Sequence, residues 1–347
     1  MADFQRVELA PGYSIAPIIN GCWQLAPDHG GGPASAEQSL RIFSELVDSG
    51  FTTFDCADIY EGTEELLGRF RASIADPDSI QVHTKYVPDR TTLGQLEAAD
   101  IDAAIDRSLR RLGTDRLDLV QFHWWSYDVP GCELVTDRLM RAQQRGKVRL
   151  LGVTNFDTSH VRQFIDDGVP IVSLQAQYSL LDRRPEKHMV QFGATSGVQL
   201  LNYGALAGGL LSDRYLGAAP PTTMNRSVQK YRLILDEIGG WDQLQRLLGR
   251  LRVIADRHDT TVATVAGRWA LDQAGVAAII LGTGDSSRVA EKRALGGLEL
   301  DAGDLQTIAE LLESQPMPRG DMYDLERDPQ GAHAKIIKTD LHGTGTS

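Results

Sequence analysis

The sequence predicts an α/β protein, and within that class a closed (β/α)8 barrel of the TIM type, built as a single domain with long loops over its C-terminal face. Short β-branched runs alternate with longer stretches of helical period, the pattern of parallel strands joined by crossover helices. Eight such strands can be drawn. No Pro- or Ser-rich linker divides the 347 residues, so one domain over 1–347 is expected, with a barrel core over about 13–315 and a C-terminal loop and tail over 316–347.

The strands expected, in order, are PIINGCW (17–23), TTFD (52–55), IQVHTK (80–85), LDLVQFH (117–123), VRLLGV (148–153), IVSLQ (171–175), VQLLN (198–202) and VAAIIL (276–281). Most are short runs rich in Val, Ile and Leu, as strands covered on both faces require, and TTFD opens on β-branched threonines. Helical segments lie between them. In AAIDRSLRRLG (103–113), Ile105, Leu109 and Leu112 recur at helical spacing and Gly113 is placed to end the helix. The segment 212–241 is long enough to fold over the barrel mouth or to pack on the surface. Past 316 the chain is charged, with Met322, Tyr323 and Leu325 placed either to close one side of a pocket or to lie in a surface tail; its small polar last residues are expected to be disordered.

Composition excludes several function classes. With 47 acidic and 35 basic residues and a net charge of -12, the chain offers no basic surface for nucleic acid or an anionic membrane. A small molecule is the expected partner, and oligomeric state is left open. Cys22, Cys56 and Cys132 are odd in number and lack metal-ligand spacing, which suits a reducing compartment. The start MADFQRVELAPG has no secretory pattern and no apolar run is long enough to span a bilayer, so a cytoplasmic location is expected.

In a barrel of this kind chemistry sits at the C-terminal strand ends and the loops after them. There the sequence puts Asp55 with Tyr60 in its loop, then Lys85, His123, Thr154 and Asn155, Gln175, Tyr203, and finally Gly282 and Thr283. An Asp, Lys, His, Asn and Gln converging on one rim is hard to assign to chance. Singly, each has a plain structural explanation: Asp55 as a helix cap, Lys85 and His123 as solvated loop residues, His83 as a packed strand residue, Tyr60 as packing.

The motifs GFTTFDCADIYEGTEELLG, VHTKY, LDLVQFHWW, GKVRLLGVTNF, LQAQYSLLDRR and LNYGALAGGLLS, in that order, resemble the aldo-keto reductase family. FHWWSYDVPG and SVQKYRLILDEIGGW are most similar to a plant and bacterial branch of it. The resemblance implies a catalytic tetrad at Asp55, Tyr60, Lys85 and His123, with Tyr203 stacking on a nicotinamide ring and Asn155 and Gln175 bonding its carboxamide. It implies an NAD(P)H-dependent oxidoreductase acting on an aldehyde or ketone, or in reverse on an alcohol or sugar.

The four residue types suit that reaction on chemical grounds alone. Hydride transfer to a carbonyl leaves negative charge on oxygen that a proton must meet. A free tyrosine, with a pKa near ~10, is a poor acid at neutral pH, but a neighbouring cation stabilises the phenolate. Lys85 is that cation, Asp55 would hold it charged, and His123 could orient the carbonyl oxygen while Tyr60 protonates it.

No G-x-G-x-x-G follows a strand, and HGGG (29–32) reads as a loop, so a Rossmann site is not expected. Phosphates should settle on the loops after the last two strands and at a helix N-terminus. YGALAGGLLS (203–212), with Gly204, Leu206, Gly208 and Gly209, and LGTGDSSRV (281–289), with Gly282, Thr283, Ser286 and Ser287, are those loops. Gly282 stands where many family members carry a lysine for the 2′-phosphate; Arg288 matches the family's adenosine-phosphate arginine, and Lys292 replaces the usual asparagine. NADP(H), with NADPH preferred over NADH, is the expected cofactor, and no metal is expected. Trp23, Trp124 and Trp125 are either pocket walls or packing, with Trp23 and Trp124 favoured as substrate contacts.

Two other readings differ in class. One is a cofactor-binding regulatory subunit with little turnover, as relatives of the fold provide. The other is a metal-dependent hydrolase using His83, His123, Asp55 and Asp58, against which Lys85 would repel the metal.

Overall fold

Eight parallel strands close into a barrel, in which each strand pairs its backbone with a neighbour on either side. The computed structural model describes residues 5–26, 35–222, 225–284 and 286–336. The HGGG segment and the last residues of the tail lie outside the described residues. In chain order the strands are β1 (Val7–Ala10), β2 (Tyr13–Ile15), β3 (Ile18–Gly21), β4 (Thr53–Asp55), β5 (Gln81–Tyr86), β6 (Leu117–Phe122), β7 (Val148–Thr154), β8 (Ile171–Gln177), β9 (Gln199–Tyr203) and β10 (Val276–Gly282). The barrel runs from β3 to β10, and β10 pairs back onto β3 with Ile280 opposite Ile19.

The two strands ahead of the barrel were not expected from sequence. β1 and β2 form an antiparallel hairpin that turns at Gly12, whose φ of 70° suits glycine. Leu9, Tyr13 and Ile15 pack with Ile19, Leu119, Leu201 and Ala278 and close the N-terminal end of the barrel. His83 lies in this lower region, fully buried, with Nε2 3.1 Å from the Tyr13 hydroxyl. Burial lowers its pKa to about 4. The packed-strand reading of His83 is what the geometry gives.

Helices α1 (Ala36–Asp48), α2 (Thr63–Ser73), α3 (Ala98–Leu112), α4 (Cys132–Gln144), α5 (Thr158–Asp166) and α6 (Pro185–Ser196) alternate with the strands, and α7 (Arg226–Glu237), α8 (Gly240–Arg257), α9 (Val262–Leu271), α10 (Ser287–Gly297) and α11 (Ala302–Glu313) complete the shell. α3 shows the local logic. Ile101, Ala104, Ile105, Ser108 and Leu112 line its buried face, and Gly113, at φ 61°, ends it. It begins five residues before the expected start because the Asp100 carboxylate accepts from the Glu97 amide and caps the first turn. Among the described residues no helix is long and apolar enough to cross a membrane.

Two insertions shape the barrel mouth. The 212–241 segment holds α7, whose Tyr231 and Ser227 fill the space beside Gly204 and Gly208. The C-terminal segment folds back over the rim, held by an almost fully buried pair: the Arg184 guanidinium binds both carboxylate oxygens of Asp182 and donates from Nη1 to the carbonyls of Arg319 (3.0 Å) and Asp321 (3.3 Å). Met322 is buried beneath it.

Candidate active site

A cavity of about 1090 Å³ opens at the C-terminal mouth of the barrel. The residues expected at the catalytic, cofactor and substrate sites line it except Thr283, Ser286, Ser287 and Trp124, and His83 also lies outside the lining. The parallel register explains the convergence, since Gly21 pairs with Asp55, Asp55 with His83 one residue pair below Lys85, and Lys85 with Gln121 two residues before His123. Inward-pointing positions recur every second residue along a strand, so neighbouring strand ends deliver their polar side chains to one layer.

Lys85 is the centre of that layer. Its Nζ donates to Asp55 Oδ2 at 2.6 Å and to the Cys56 carbonyl at 2.8 Å. The other carboxylate oxygen of Asp55 accepts from the side-chain amides of Gln121 (2.9 Å) and Gln175 (2.7 Å). Burial opposes the charge on Lys85, but Asp55, and secondarily Tyr60, raise its pKa above the ordinary value. The ammonium lies 5.2 Å from the centroid of the Tyr60 ring. Burial pushes the Tyr60 phenol up to about 12, and the opposing pull of Lys85 is the smaller effect because Asp55 already offsets its charge. Tyr60 is therefore held protonated, as a donor must be before it acts.

His123 lies just past β6, its ring 4.4 Å from that of Trp125 and edge-on to it. Its Nε2 is 2.9 Å from Oε1 of Glu326, a residue of the C-terminal segment that sequence reasoning did not single out. Burial acts against the Glu326 carboxylate, but His123, with Arg327 and Lys230, brings its pKa to about 2.

On the opposite wall, Tyr203 donates its hydroxyl to Asn155 Oδ1 at 2.9 Å, and Asn155 takes a φ of 55°, a conformation asparagine tolerates better than most residues. Lys230 of α7, also missed, donates to the same hydroxyl at 3.3 Å and lies 4.9 Å from the Tyr203 ring centroid. Gln175 commits its amide nitrogen to Asp55 and to Gln121 Oε1. Gln121 was also missed, although a glutamine two residues before His123, at the same parity of its strand, is a signal.

Several expectations change. Trp124 is not a pocket wall: it is fully buried, with its indole N–H donating to the Val129 carbonyl at 3.0 Å. Trp125 lines the cavity instead and donates to the Pro88 carbonyl at 2.8 Å. Strand alternation accounts for this, since His123 and Trp125 share a parity and Trp124 does not. Trp23 lines the cavity from a short turn of 3-10 helix. Thr283 is buried outside the lining, its hydroxyl donating to the Gly21 carbonyl at 3.0 Å. Gly204 and Gly208 border the cavity with φ of 74° and 66°, but the space freed by their missing side chains is taken by α7; Gly209 faces open space. Leu206 lies between them on the lining. A side chain at Gly282 would press on Gln24.

Arg288 is exposed at the cavity edge and paired with Glu291 at 2.6 Å. Lys292 is nearly fully buried and donates to Asn20 Oδ1 at 2.6 Å, and burial lowers its pKa to about 7. It therefore adds little fixed charge to an adenosine site. Among the described residues no group of three His, Cys, Asp or Glu side chains could hold a metal ion, and His83 and His123 face different partners.

The fold and this rim define a barrel enzyme with a shielded cation beside a buried, protonated phenol, a class suited to moving a proton at a polarised oxygen. A family model described as "Aldo/keto reductase family" matches residues 17–313, and the chain belongs to that family. It is an oxidoreductase of the nicotinamide-linked kind. Among its relatives, flagellar radial spoke protein 5 of Chlamydomonas reinhardtii is 29% identical over 69% of this chain, a match that spans only 58% of that relative. The NADH-specific methylglyoxal reductase of Escherichia coli is 27% identical over 85% of this chain and 94% of its own length. A solved glycerol dehydrogenase from Gluconobacter oxydans superposes with a TM-score of 0.77 at 24% identity, covering 93% of this chain and all of that one.

Proposed function

We propose that the protein reduces an aldehyde or ketone of a small molecule to an alcohol with NADPH, or oxidises an alcohol or sugar in the reverse direction. The observation that carries this reading is the Asp55–Lys85 pair standing beside Tyr60 at the floor of the cavity. A nicotinamide nucleotide, when bound, would supply the hydride. Tyr60 gives a proton to the developing alkoxide, Lys85 stabilises the phenolate that results, and the N–H of His123 orients the carbonyl. Losing the solvating Asp55 would leave Lys85 free to move and to lose its proton, so Asp55 acts by positioning.

The residues present fit a nicotinamide nucleotide. The cavity is at the upper end of the ~300–1,000 Å³ range of small-molecule pockets. The Tyr203 ring offers a flat face, Asn155 an amide and Gln175 its amide oxygen, Gly204 through Gly209 offer backbone, and Arg288 stands near the N-terminus of α10. The preference for NADPH rests on Arg288, whose guanidinium suits a phosphate, now that Lys292 is committed to Asn20.

The test is a spectrophotometric screen of aldehydes, ketones and sugars against NADPH and NADH, with each nucleotide titrated separately. Turnover with NADPH, and tighter binding of NADPH than of NADH, is expected. Absence of turnover with either nucleotide would overturn the function, and equal or tighter binding of NADH would overturn the preference.

A further inference from the structure

The Glu326 carboxylate has no role in the chemistry above, yet it touches the group that orients the substrate. Its side chain is 18% exposed and lines the cavity. An ionised carboxylate only accepts hydrogen bonds, so in the 2.9 Å contact the proton is on His123 Nε2. His123 Nδ1 is buried with no hydrogen-bond partner. The ring thus has one working donor facing the cavity, and two acceptors have a claim on it: Glu326 now, and the substrate carbonyl during reaction.

When the carbonyl takes that N–H, Glu326 loses its hydrogen bond. Its cationic neighbours do not replace it. Arg327 Nη1 is 3.8 Å away, beyond hydrogen-bond length, and its guanidinium donates to the carbonyls of Tyr323 (2.9 Å) and Trp124 (2.6 Å). Lys230 is engaged with the Tyr203 hydroxyl. A plain aldehyde would leave a largely shielded carboxylate short of a donor, which is costly. A carbonyl with a hydroxyl on the adjacent carbon removes the conflict, since its oxygen accepts from His123 while its hydroxyl donates to Glu326.

We propose that Glu326 is a specificity-determining residue that accepts a hydrogen bond from a hydroxyl neighbouring the reacting carbonyl, and so selects hydroxyaldehydes and hydroxyketones over plain carbonyls. The reverse-direction counterpart is a vicinal diol. The inference rests on the reading of His123 as the carbonyl-orienting residue.

The test compares kcat/KM for glycolaldehyde and acetaldehyde in the wild-type protein, Glu326→Ala and Glu326→Gln. Hydration of the two aldehydes is common to all three proteins and cancels when their ratios are compared. The glycolaldehyde-to-acetaldehyde ratio is expected to fall ~10-fold in Glu326→Ala, the size of one lost hydrogen bond to a charged group, and to fall less in Glu326→Gln, which keeps an acceptor of the same shape. A ratio in both variants within about twofold of wild type, in a range a hydrogen-bond loss would exceed, overturns the inference and leaves the reductase reading standing. A wild-type protein that turns over no carbonyl at all overturns both.

Discussion

The Nζ of Lys85 stands 2.6 Å from Oδ2 of Asp55, 30 residues away in sequence, and both side chains are 6% exposed. A pair so shielded is costly to form and more costly to break, because removing one member strands the other charge. Asp55 alone keeps two amide donors, from Gln121 and Gln175. Lys85→Met should therefore cost about 3–5 kcal/mol in stability, and the double change Lys85→Met with Asp55→Asn less than the sum of the two single changes. Urea denaturation of the three variants checks this. Additive losses would mean that the two groups do not act as a pair.

The raised pKa of Tyr60 gives a second expectation. Burial outweighs the pull of Lys85 and leaves the phenol with a pKa of about 12. In the ligand-free protein, the ultraviolet difference between wild type and Tyr60→Phe should show no tyrosinate from this residue at pH 9 or 10, where a free tyrosine with a pKa near ~10 would already be ionising. A difference titration centred at or below pH 10 would show that Lys85 wins after all.

His83 makes stability depend on pH in a definite window. Its folded pKa is lowered from 6.5 to about 4 by burial at the closed end of the barrel. The unfolded chain therefore binds the proton more readily, and stability is full above about pH 6.5 and lost as pH falls toward 4. Across that window the loss is of order 3 kcal/mol. His83→Gln should flatten the dependence of the urea midpoint between pH 7 and pH 5. An unchanged slope would place the proton uptake elsewhere.

Gly204 tests the contact between the cavity loop and α7. A methyl group there would overlap the Tyr231 hydroxyl, and the φ of 74° disfavours any other residue. Gly204→Ala should lower stability by about 1–3 kcal/mol, and shortening the partner in Gly204→Ala with Tyr231→Phe should recover part of it. The thermal midpoints decide the matter; no recovery in the double variant would assign the whole loss to backbone conformation.

Most of the eight barrel strands were legible because Val, Ile and Leu runs buried on both faces have few other uses. Six of the eight predicted strands end within one residue of the observed ends. The hairpin at Val7–Ala10 and Tyr13–Ile15 escaped notice because its strands are 4 and 3 residues long, too short to show a period. Asp55, Lys85 and His123 could be found because each terminates a recognisable strand. Glu326 could not, since it meets His123 across 203 residues through a segment whose own pattern is merely charged. The exchange of Trp124 for Trp125 was within reach: carrying the strand alternation two residues beyond Gln121 and His123 selects Trp125. Lys292 stands where the resemblance places an asparagine of the adenine pocket, and it is buried because α10 turns it toward Asn20 in the barrel wall.

The central claim is that Tyr60 is the proton donor, and Tyr60→Phe tests it most directly, with nucleotide binding and single-turnover carbonyl reduction measured on the same preparation. The variant keeps the ring that lies over Lys85 and loses only the hydroxyl, so nucleotide affinity should be unchanged while the rate of reduction falls ~10²–10⁴-fold, the usual contribution of a positioned acid. A variant that binds nucleotide and still reduces the carbonyl at the wild-type rate would contradict the account.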